Sequence, residues 1–443
     1  MNPEIIVLVG LVVSILLMIV GIPIALALGG VAIVCGLITL DAVFLMDMFA
    51  LRAFGVMSNY TLIAIPLFVF MGAILQRSGI TEKLFDVLFV MFGKLRGSLA
   101  LVTIIVGIVF GACTGVAGAS VVTLGMLGIP AMLKRKYDHS LIAGCICAGA
   151  GLGVIIPPSI VFILYGSTAG VSISALFAAG ILPGLLLGLL YLVYIYVRYH
   201  ILQPNLAPAI SIEEKGEYTP AVLIAMTIKS VLPPLLLIGA VLGAIFVGWA
   251  APSEAAALGA IGAILVSLAY KQFNVRTLVD SCYSTIKVSS AIMFIVLAAD
   301  MFAGVFLRAG ANRFVRDLIL GMDVSPLGTI IIMVLILYVC GMFMDWIGMI
   351  YIFIPIFSPI VATLGYDPLW FGVVFCIILQ LSYLTPPFAY NVFYLKSIAP
   401  KEITIGEMYK GVLPYIAVQL VFLILIIAYP NIILYVPNLI AGQ

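Results

Sequence analysis

Asp345 is the only charged residue between positions 325 and 363, in a strongly apolar stretch. A carboxylate at membrane depth is costly and is a functional candidate by default. It could bind a cation such as Na⁺, or it could cap the exposed amides of a helix that begins after it. The residues alone leave both interpretations open.

A run of small residues from Gly111 to Ser120 interrupts another long apolar stretch. Glycine lets the chain turn and leaves backbone groups free, and Thr114 and Ser120 add hydroxyl oxygens. Such oxygens can hold a hard cation, and a following helix N-terminus can hold an anion. Gly115 and Gly118 would equally suit close packing of two helices.

Two proline pairs, Pro157-Pro158 and Pro386-Pro387, lie inside apolar segments that are otherwise long enough to span a bilayer. Consecutive prolines remove amide donors and forbid a continuous helix. Non-helical backbone at membrane depth must line protein or water, so both breaks are candidate binding regions. Asn391, one helical turn after Pro387, could present its amide to a substrate or hydrogen-bond the broken backbone.

Two further acids have competing interpretations. Asp300 lies in an apolar segment and could pair with Arg308 or face a pore. Glu254 follows Pro252 and Ser253 at a predicted helix start, where helix capping is the expected role.

The composition indicates which kind of secondary structure must position these residues. Of 443 residues, 65% are hydrophobic and only 9% are charged, whereas a soluble domain carries roughly 25% charged residues. We therefore predict an all-α polytopic membrane protein. The net charge is +2, and the basic residues form no stripe that would suggest binding to nucleic acid. No catalytic dyad, nucleotide motif or transition-metal ligand pattern occurs, so we do not expect an enzyme.

Segments long enough to cross a bilayer, at about 20 residues each, predict ten spans. Segment 43–57 mixes charged and apolar residues and is predicted to lie at the interface. Residues 98–133 and 325–363 are each predicted to form a re-entrant helical hairpin. The ten spans fall near 4–20, 22–40, 61–78, 140–168, 181–200, 231–248, 254–270, 288–307, 368–395 and 411–428.

Alternation of the spans places all but four of the 20 Lys and Arg residues on one side of the membrane. Because basic loops stay cytoplasmic, we predict that both termini are periplasmic. The four basic residues on the other side are Arg52, Arg308, Arg313 and Arg316.

An internal repeat divides the chain. Pro157 and Pro386 are separated by 386 − 157 = 229 positions, and Gly111 and Gly341 by 341 − 111 = 230. We predict a first repeat at 1–202, a cytoplasmic linker at 203–220 and a second repeat at 221–443. Each repeat would hold five spans, so the second copy would be inverted, as in secondary transporters.

These same residues carry a resemblance to the large membrane subunit of tripartite ATP-independent periplasmic (TRAP) transporters, and it covers nearly the whole chain. Its most specific parts are Thr114 to Gly125, Ile155 to Ile160, Ala251 to Ala257 and Gln380 to Phe388. The resemblance implies an elevator-type importer of a small organic acid, driven by Na⁺ and using no other cofactor. It also implies that the chain lies in a bacterial inner membrane. The implied partners are a small four-helix membrane subunit and a soluble periplasmic solute-binding protein.

The resemblance further implies one Na⁺ site at each hairpin tip with its neighbouring break, and a substrate between the two tips. The residues so assigned are Thr114, Gly115, Gly118, Ser120 and Pro157 for the first ion site, Gly341, Asp345 and Thr385 for the second, and Pro158, Ser159, Pro386, Pro387 and Asn391 for the substrate. A stand-alone carrier of the divalent-anion type, which also uses two hairpins, is the alternative. The sequence does not name the acid, which could be a carboxylate or a sulfonate.

Overall fold

The first half of the chain folds as helices punctuated by glycine and proline. The computed structural model describes residues 3–93, 95–208, 220–321 and 324–442, and no strand occurs within these ranges. The α-helices are α1 (Pro3–Ile19), α2 (Ile24–Thr39), α3 (Ala42–Met57), α4 (Ala64–Arg77), α5 (Ile80–Phe92), α6 (Ser98–Thr114), α7 (Ala117–Leu133), α8 (His139–Gly151), α9 (Ile160–Ala169) and α10 (Ile173–Ile195).

The second half contributes a similar series. Its α-helices are α11 (Pro220–Phe246), α12 (Pro252–Ala269), α13 (Val275–Arg308), α14 (Ala311–Leu320), α15 (Pro326–Gly341), α16 (Trp346–Thr363), α17 (Pro368–Leu384), α18 (Tyr390–Ile398), α19 (Ile405–Ala428) and α20 (Asn431–Ala441).

The helix order α4 to α10 recurs as α13 to α19. The short helices α5 and α14 both follow a left-handed glycine, Gly79 at φ 68° and Gly310 at φ 79°. Glycine adopts this conformation without the penalty of a Cβ. The division into two repeats and the inversion of the second stay predictions.

The predicted all-helical membrane architecture is confirmed, including the predicted breaks in two of the spans. Seven helices in the described ranges are long and apolar enough to cross a membrane, and further apolar helices of 10–17 residues accompany them. Segments 140–168 and 368–395 are not continuous. Each consists of two helices, α8 with α9 and α17 with α18, because the proline pairs end the first helix of each segment.

Residues 98–133 fold as two helices whose outer ends lie side by side. The amide of Gly97 donates to Ala207 O at 3.1 Å, and the amide of Asp138 donates to Leu206 O at 3.0 Å. The residue before α6 and the N-cap residue of α8, five positions after the end of α7, therefore bind the same short segment. That segment belongs to the predicted linker 203–220, of which residues 209–219 lie outside the described ranges.

The α6, α8 and α17 helices form the core, with most of their residues buried on every face. Glycine allows the closest approach, because a Cβ at Gly111 would lie 2.7 Å from Cα of Gly153. By contrast, α1, α2, α11 and α12 leave many Leu, Ile and Val side chains exposed. Such exposed apolar faces suit contact with lipid rather than water.

Candidate ion and substrate site

The two hairpin turns and the helices that flank the two breaks meet at one small cavity, which we call the tip cavity. Its volume is about 60 Å³, the space of roughly two water molecules at about 30 Å³ each. The lining residues are Gly115, Val116, Ala117, Gly118, Val154, Val161, Asp345, Trp346, Tyr383, Tyr390, Asn391 and Tyr394. Residues more than 200 positions apart in sequence are thus brought together.

The first turn contributes a pair of buried hydroxyl groups. Thr114 Oγ1 and Ser120 Oγ lie 2.9 Å apart. Each hydroxyl is also within reach of a carbonyl one turn earlier, Phe110 O at 3.2 Å for Thr114 and Val116 O at 3.2 Å for Ser120. The turn thereby concentrates four oxygen atoms, the atom type that hard cations prefer.

The first turn packs directly on the first break. Gly115 has φ 60°, and a Cβ there would lie 3.1 Å from Pro158 O. Gly115 is therefore required both for its left-handed backbone and for this approach. Gly118 instead faces α18, since a Cβ at Gly118 would lie 2.9 Å from the ring of Tyr394. Gly118 could reach an ion only through its backbone.

The second turn presents the carboxylate of Asp345. This residue is the N-cap of α16, and its Oδ2 accepts from the amide of Ile347 at 3.1 Å. It also lines the tip cavity and is partly exposed. Both interpretations of Asp345 are thus geometrically compatible, because the cap fixes the carboxylate at the cavity wall.

Gly341 and Thr385 lie at the contact between α15 and α17. A Cβ at Gly341 would collide with Oγ of Ser382. The Thr385 hydroxyl donates to Leu381 O at 2.8 Å and lies 3.2 Å from the hydroxyl of Tyr338. The second turn therefore packs on the second break as the first turn does on the first break, although neither Gly341 nor Thr385 lines the tip cavity.

The predicted substrate residues differ in their exposure. Pro158 and Ser159 are buried, as is Pro157 of the predicted first ion site, and the Ser159 hydroxyl donates to Val154 O at 2.6 Å across the break. Pro386 and Pro387 are exposed and do not line the tip cavity. The first break is thus closed over, whereas the second break remains open.

Asn391 is fully buried and lines the tip cavity. Its Nδ2 donates to Cys147 O on α8 at 3.0 Å, so the amide binds a neighbouring helix rather than its own broken backbone. Within the part of the chain that the structure describes, its Oδ1 has no hydrogen-bond partner. A buried acceptor without a partner costs about 1–3 kcal/mol, which makes Oδ1 a candidate ligand atom.

Three tyrosines of the cavity wall were missed by sequence reasoning. Tyr383, Tyr390 and Tyr394 come from α17 and α18, and the rings of Tyr383 and Tyr390 meet edge to face at 5.9 Å. Tyr383 lies inside the segment Gln380 to Phe388 that carries the family resemblance, which was the available signal. Aromatic residues are otherwise too common in this chain to mark a site.

Of the two interpretations of Asp300, pairing with Arg308 was wrong. Asp300 pairs with Arg52 of α3, with Arg52 Nη1 at 3.0 Å from Asp300 Oδ1, and not with Arg308. The two residues lie 248 positions apart, so no local sequence pattern could predict the pair. Glu254 behaves as predicted, because its carboxylate accepts from the amide of Ala251 at 2.8 Å at the start of α12.

Comparison with known proteins gives a consistent family. Residues 11–432 match the family described as tripartite ATP-independent periplasmic transporter, DctM component. The chain is 30% identical over 390 residues to the C4-dicarboxylate TRAP transporter large permease protein DctM of Pseudomonas aeruginosa, covering 88% of this chain and 89% of that protein. It is also 30% identical to the isethionate TRAP transporter permease protein DctMQ of Oleidesulfovibrio alaskensis, covering 93% of this chain and 63% of that protein.

The fold is similar to that of a solved transporter. The crystal structure of the Alcanivorax borkumensis YdaH transporter matches with a TM-score of 0.61, covering 89% of this chain and 90% of that one. The sequence identity is 15%, so this likeness concerns the fold alone.

Proposed function

The chain belongs to the DctM component family of tripartite ATP-independent periplasmic transporters, and from this premise we propose that it is the large membrane subunit of a Na⁺-driven importer of a small organic acid. As a family member it is a multi-pass protein of the inner membrane. Its role is to move the acid, and its residues bind rather than transform it.

The observation that carries this proposal is the meeting, at the tip cavity, of both hairpin turns and the helices that flank both breaks. The cavity wall holds one carboxylate, Asp345, and one unpartnered amide oxygen, that of Asn391. The buried Thr114 and Ser120 hydroxyls lie directly behind the first turn. Among the described residues no group of three or more His, Cys, Asp or Glu side chains could hold a metal ion. A cation here would therefore depend on hydroxyl and carbonyl oxygens with a single acid, which suits Na⁺ better than a transition metal.

The size of the tip cavity supports a mechanism in which helices move to admit the acid. At about 60 Å³ it holds waters or ions but no organic acid. The acid therefore requires the two turns to separate, or the core helices to shift against α1, α2, α11 and α12. If ion binding favours the arrangement that accepts the acid, the binding of the ion and the binding of the acid are coupled, since linkage between sites is reciprocal.

The names of two relatives support the proposed class of substrate. A C4-dicarboxylate and isethionate, a sulfonate, are both small organic anions. We therefore propose a carboxylate or sulfonate as cargo. We also propose a small membrane subunit and a periplasmic binding protein as partners, the latter delivering the acid.

The test is uptake by proteoliposomes that contain this chain with its small subunit, supplied with acid-loaded binding protein. We expect uptake with an inward Na⁺ gradient and none with K⁺ in its place. Equal rates in the two salts would remove the coupling proposal. Uptake by the chain alone, without either partner, would favour the stand-alone carrier instead.

A further inference from the structure

A second and much larger cavity lies away from the hairpin turns. It has a volume of about 790 Å³ and lies between α3 and α13 on one side and the C-terminal end of α9 and the middle of α16 on the other. We call it the arginine cavity. Its charged lining residues are Arg52, Arg308, Asp47 and Asp300.

The arginine cavity lies along the same two helices as the tip cavity. On α9, Val161 lines the tip cavity and Ser167 lines the arginine cavity. On α16, Trp346 lines the tip cavity and Tyr351 lines the arginine cavity. At 1.5 Å per residue, these steps correspond to about 7.5–9 Å. A hydrogen bond between Asn59 Nδ2 and Ser167 Oγ, at 3.0 Å, connects the segment after α3 with α9 at the cavity wall.

Arg52 is the group in this cavity best suited to bind an anion. Its Nη1 contacts Asp300 Oδ1 at 3.0 Å and the Asp300 backbone oxygen at 3.2 Å. The two side chains remain 28% and 23% exposed, so the ion pair is accessible from the cavity. A guanidinium carries five N–H donors and matches carboxylates with paired hydrogen bonds.

Gly304 explains how the guanidinium is held. A Cβ at Gly304 would lie 2.8 Å from both Cδ and Cζ of Arg52. The absence of a side chain therefore lets Arg52 lie flat against α13 beside Asp300. Arg308 is held differently, with its guanidinium carbon 5.1 Å from the centre of the Phe44 ring.

We propose that the arginine cavity receives the organic acid before it reaches the tip cavity, and that Arg52 binds its carboxylate or sulfonate group while Asp300 holds Arg52 in place when the acid is absent. This proposal rests on the proposed function, whose cargo it takes as the ligand. It assigns a second site, separate from the residues at the hairpin turns.

The charge balance of the cavity suits a transit site. Two arginines face two aspartates, so an arriving anion must compete with Asp300 for Arg52. This competition keeps the affinity low, and a site on a route must release its guest as well as bind it. A cavity with unopposed arginines would instead retain the anion.

Opposite effects of the two partners distinguish this role from a purely structural ion pair. Leu307, which lines the cavity and is 37% exposed, is changed to Cys in a chain that also carries Cys282→Ser. The rate of its reaction with N-ethylmaleimide is measured with increasing succinate or isethionate, against chloride at equal ionic strength. We expect at least one of the two anions to slow the reaction.

Asp300→Asn should lower the concentration needed for protection by roughly tenfold, because one competing charged hydrogen bond is removed. Arg52→Gln should abolish protection, and Arg52→Lys should keep part of it. Arg313→Gln, an exposed arginine on the same predicted side and outside the cavity, should leave protection unchanged.

Two results would overturn the proposal: no protection by either anion, or protection that survives Arg52→Gln. A structural ion pair predicts instead that Asp300→Asn and Arg52→Gln impair the protein alike. Because the readout is chemical labelling, protection without Na⁺-driven uptake would contradict the proposed function and not this site.

Discussion

The hydroxyl oxygens of Thr114 and Ser120 lie 2.9 Å apart across the turn between α6 and α7. Both side chains are buried, at 5% and 0% exposure. The pair closes the turn, and it also places two oxygens side by side next to the first break. A cation could replace the hydroxyl contact by bridging both oxygens.

Thr114→Val and Ser120→Ala should therefore raise the Na⁺ concentration for half-maximal uptake, by roughly tenfold for each lost ligand. The measurement is the Na⁺ dependence of uptake in proteoliposomes with both partners. The matched control is Thr103→Val, because Thr103 is also buried in α6 and donates to Leu99 O at 2.7 Å, but lies away from the turn. An equal effect of Thr103→Val would indicate a packing role for the pair.

Substitutions of Asp345 can distinguish its role as a helix cap from its role in ion binding. Asparagine caps a helix about as well as aspartate does, so Asp345→Asn should keep α16 intact while removing the charge. We expect Na⁺-driven uptake to be abolished in Asp345→Asn and in Asp345→Ala, with normal insertion into the membrane.

Asp367→Asn is the control for Asp345, since Asp367 caps α17 and accepts from Leu369 at 2.8 Å but is exposed and outside the tip cavity. Its uptake should be unchanged. Full activity of Asp345→Asn would leave capping as the only role of this acid.

Two glycines should respond to alanine with opposite signs. A Cβ at Gly111 would meet Gly153 at 2.7 Å. By contrast, apart from its chain neighbours and the backbone of its own helix, no atom of the described residues lies within 4 Å of a Cβ at Gly243. Gly111→Ala should destabilise the fold by about 1–3 kcal/mol through overpacking. Gly243→Ala should stabilise α11 by about 0.5–1 kcal/mol. Thermal unfolding in detergent measures both, and a stable Gly111→Ala would contradict the close α6–α8 contact.

The sequence predicted the parts of the site that depend on backbone chemistry. Glycines at the first turn and the proline pairs at the breaks impose local geometry wherever they occur, so their positions were readable. The contact of Arg52 with Asp300 was not, because it depends on how two distant helices pack. The tyrosines of α17 and α18 were missed for the same reason, since a helix in an apolar chain does not mark which face lines a cavity.

Asn391 and Gln419 are both fully buried amides, but only Asn391 lines the tip cavity. Gln419 is satisfied at both ends, by the Tyr191 hydroxyl at 3.1 Å and by Ile377 O at 2.9 Å. Gln419→Leu should therefore cost more stability, about 1–3 kcal/mol for the partners left unpaired, and should leave the uptake per folded molecule nearly unchanged.

Asn391→Leu should show the reverse pattern. It removes one hydrogen bond, to Cys147 O, together with an acceptor that has no partner, so the loss of stability should be about 1 kcal/mol or less. Uptake should fall at least roughly tenfold if Oδ1 binds the ion or the acid, because a ligand atom at the site is lost. Thermal unfolding and uptake, measured on the same preparations, give the two readouts. Equal losses in the two variants would mean that Asn391, like Gln419, only holds helices together.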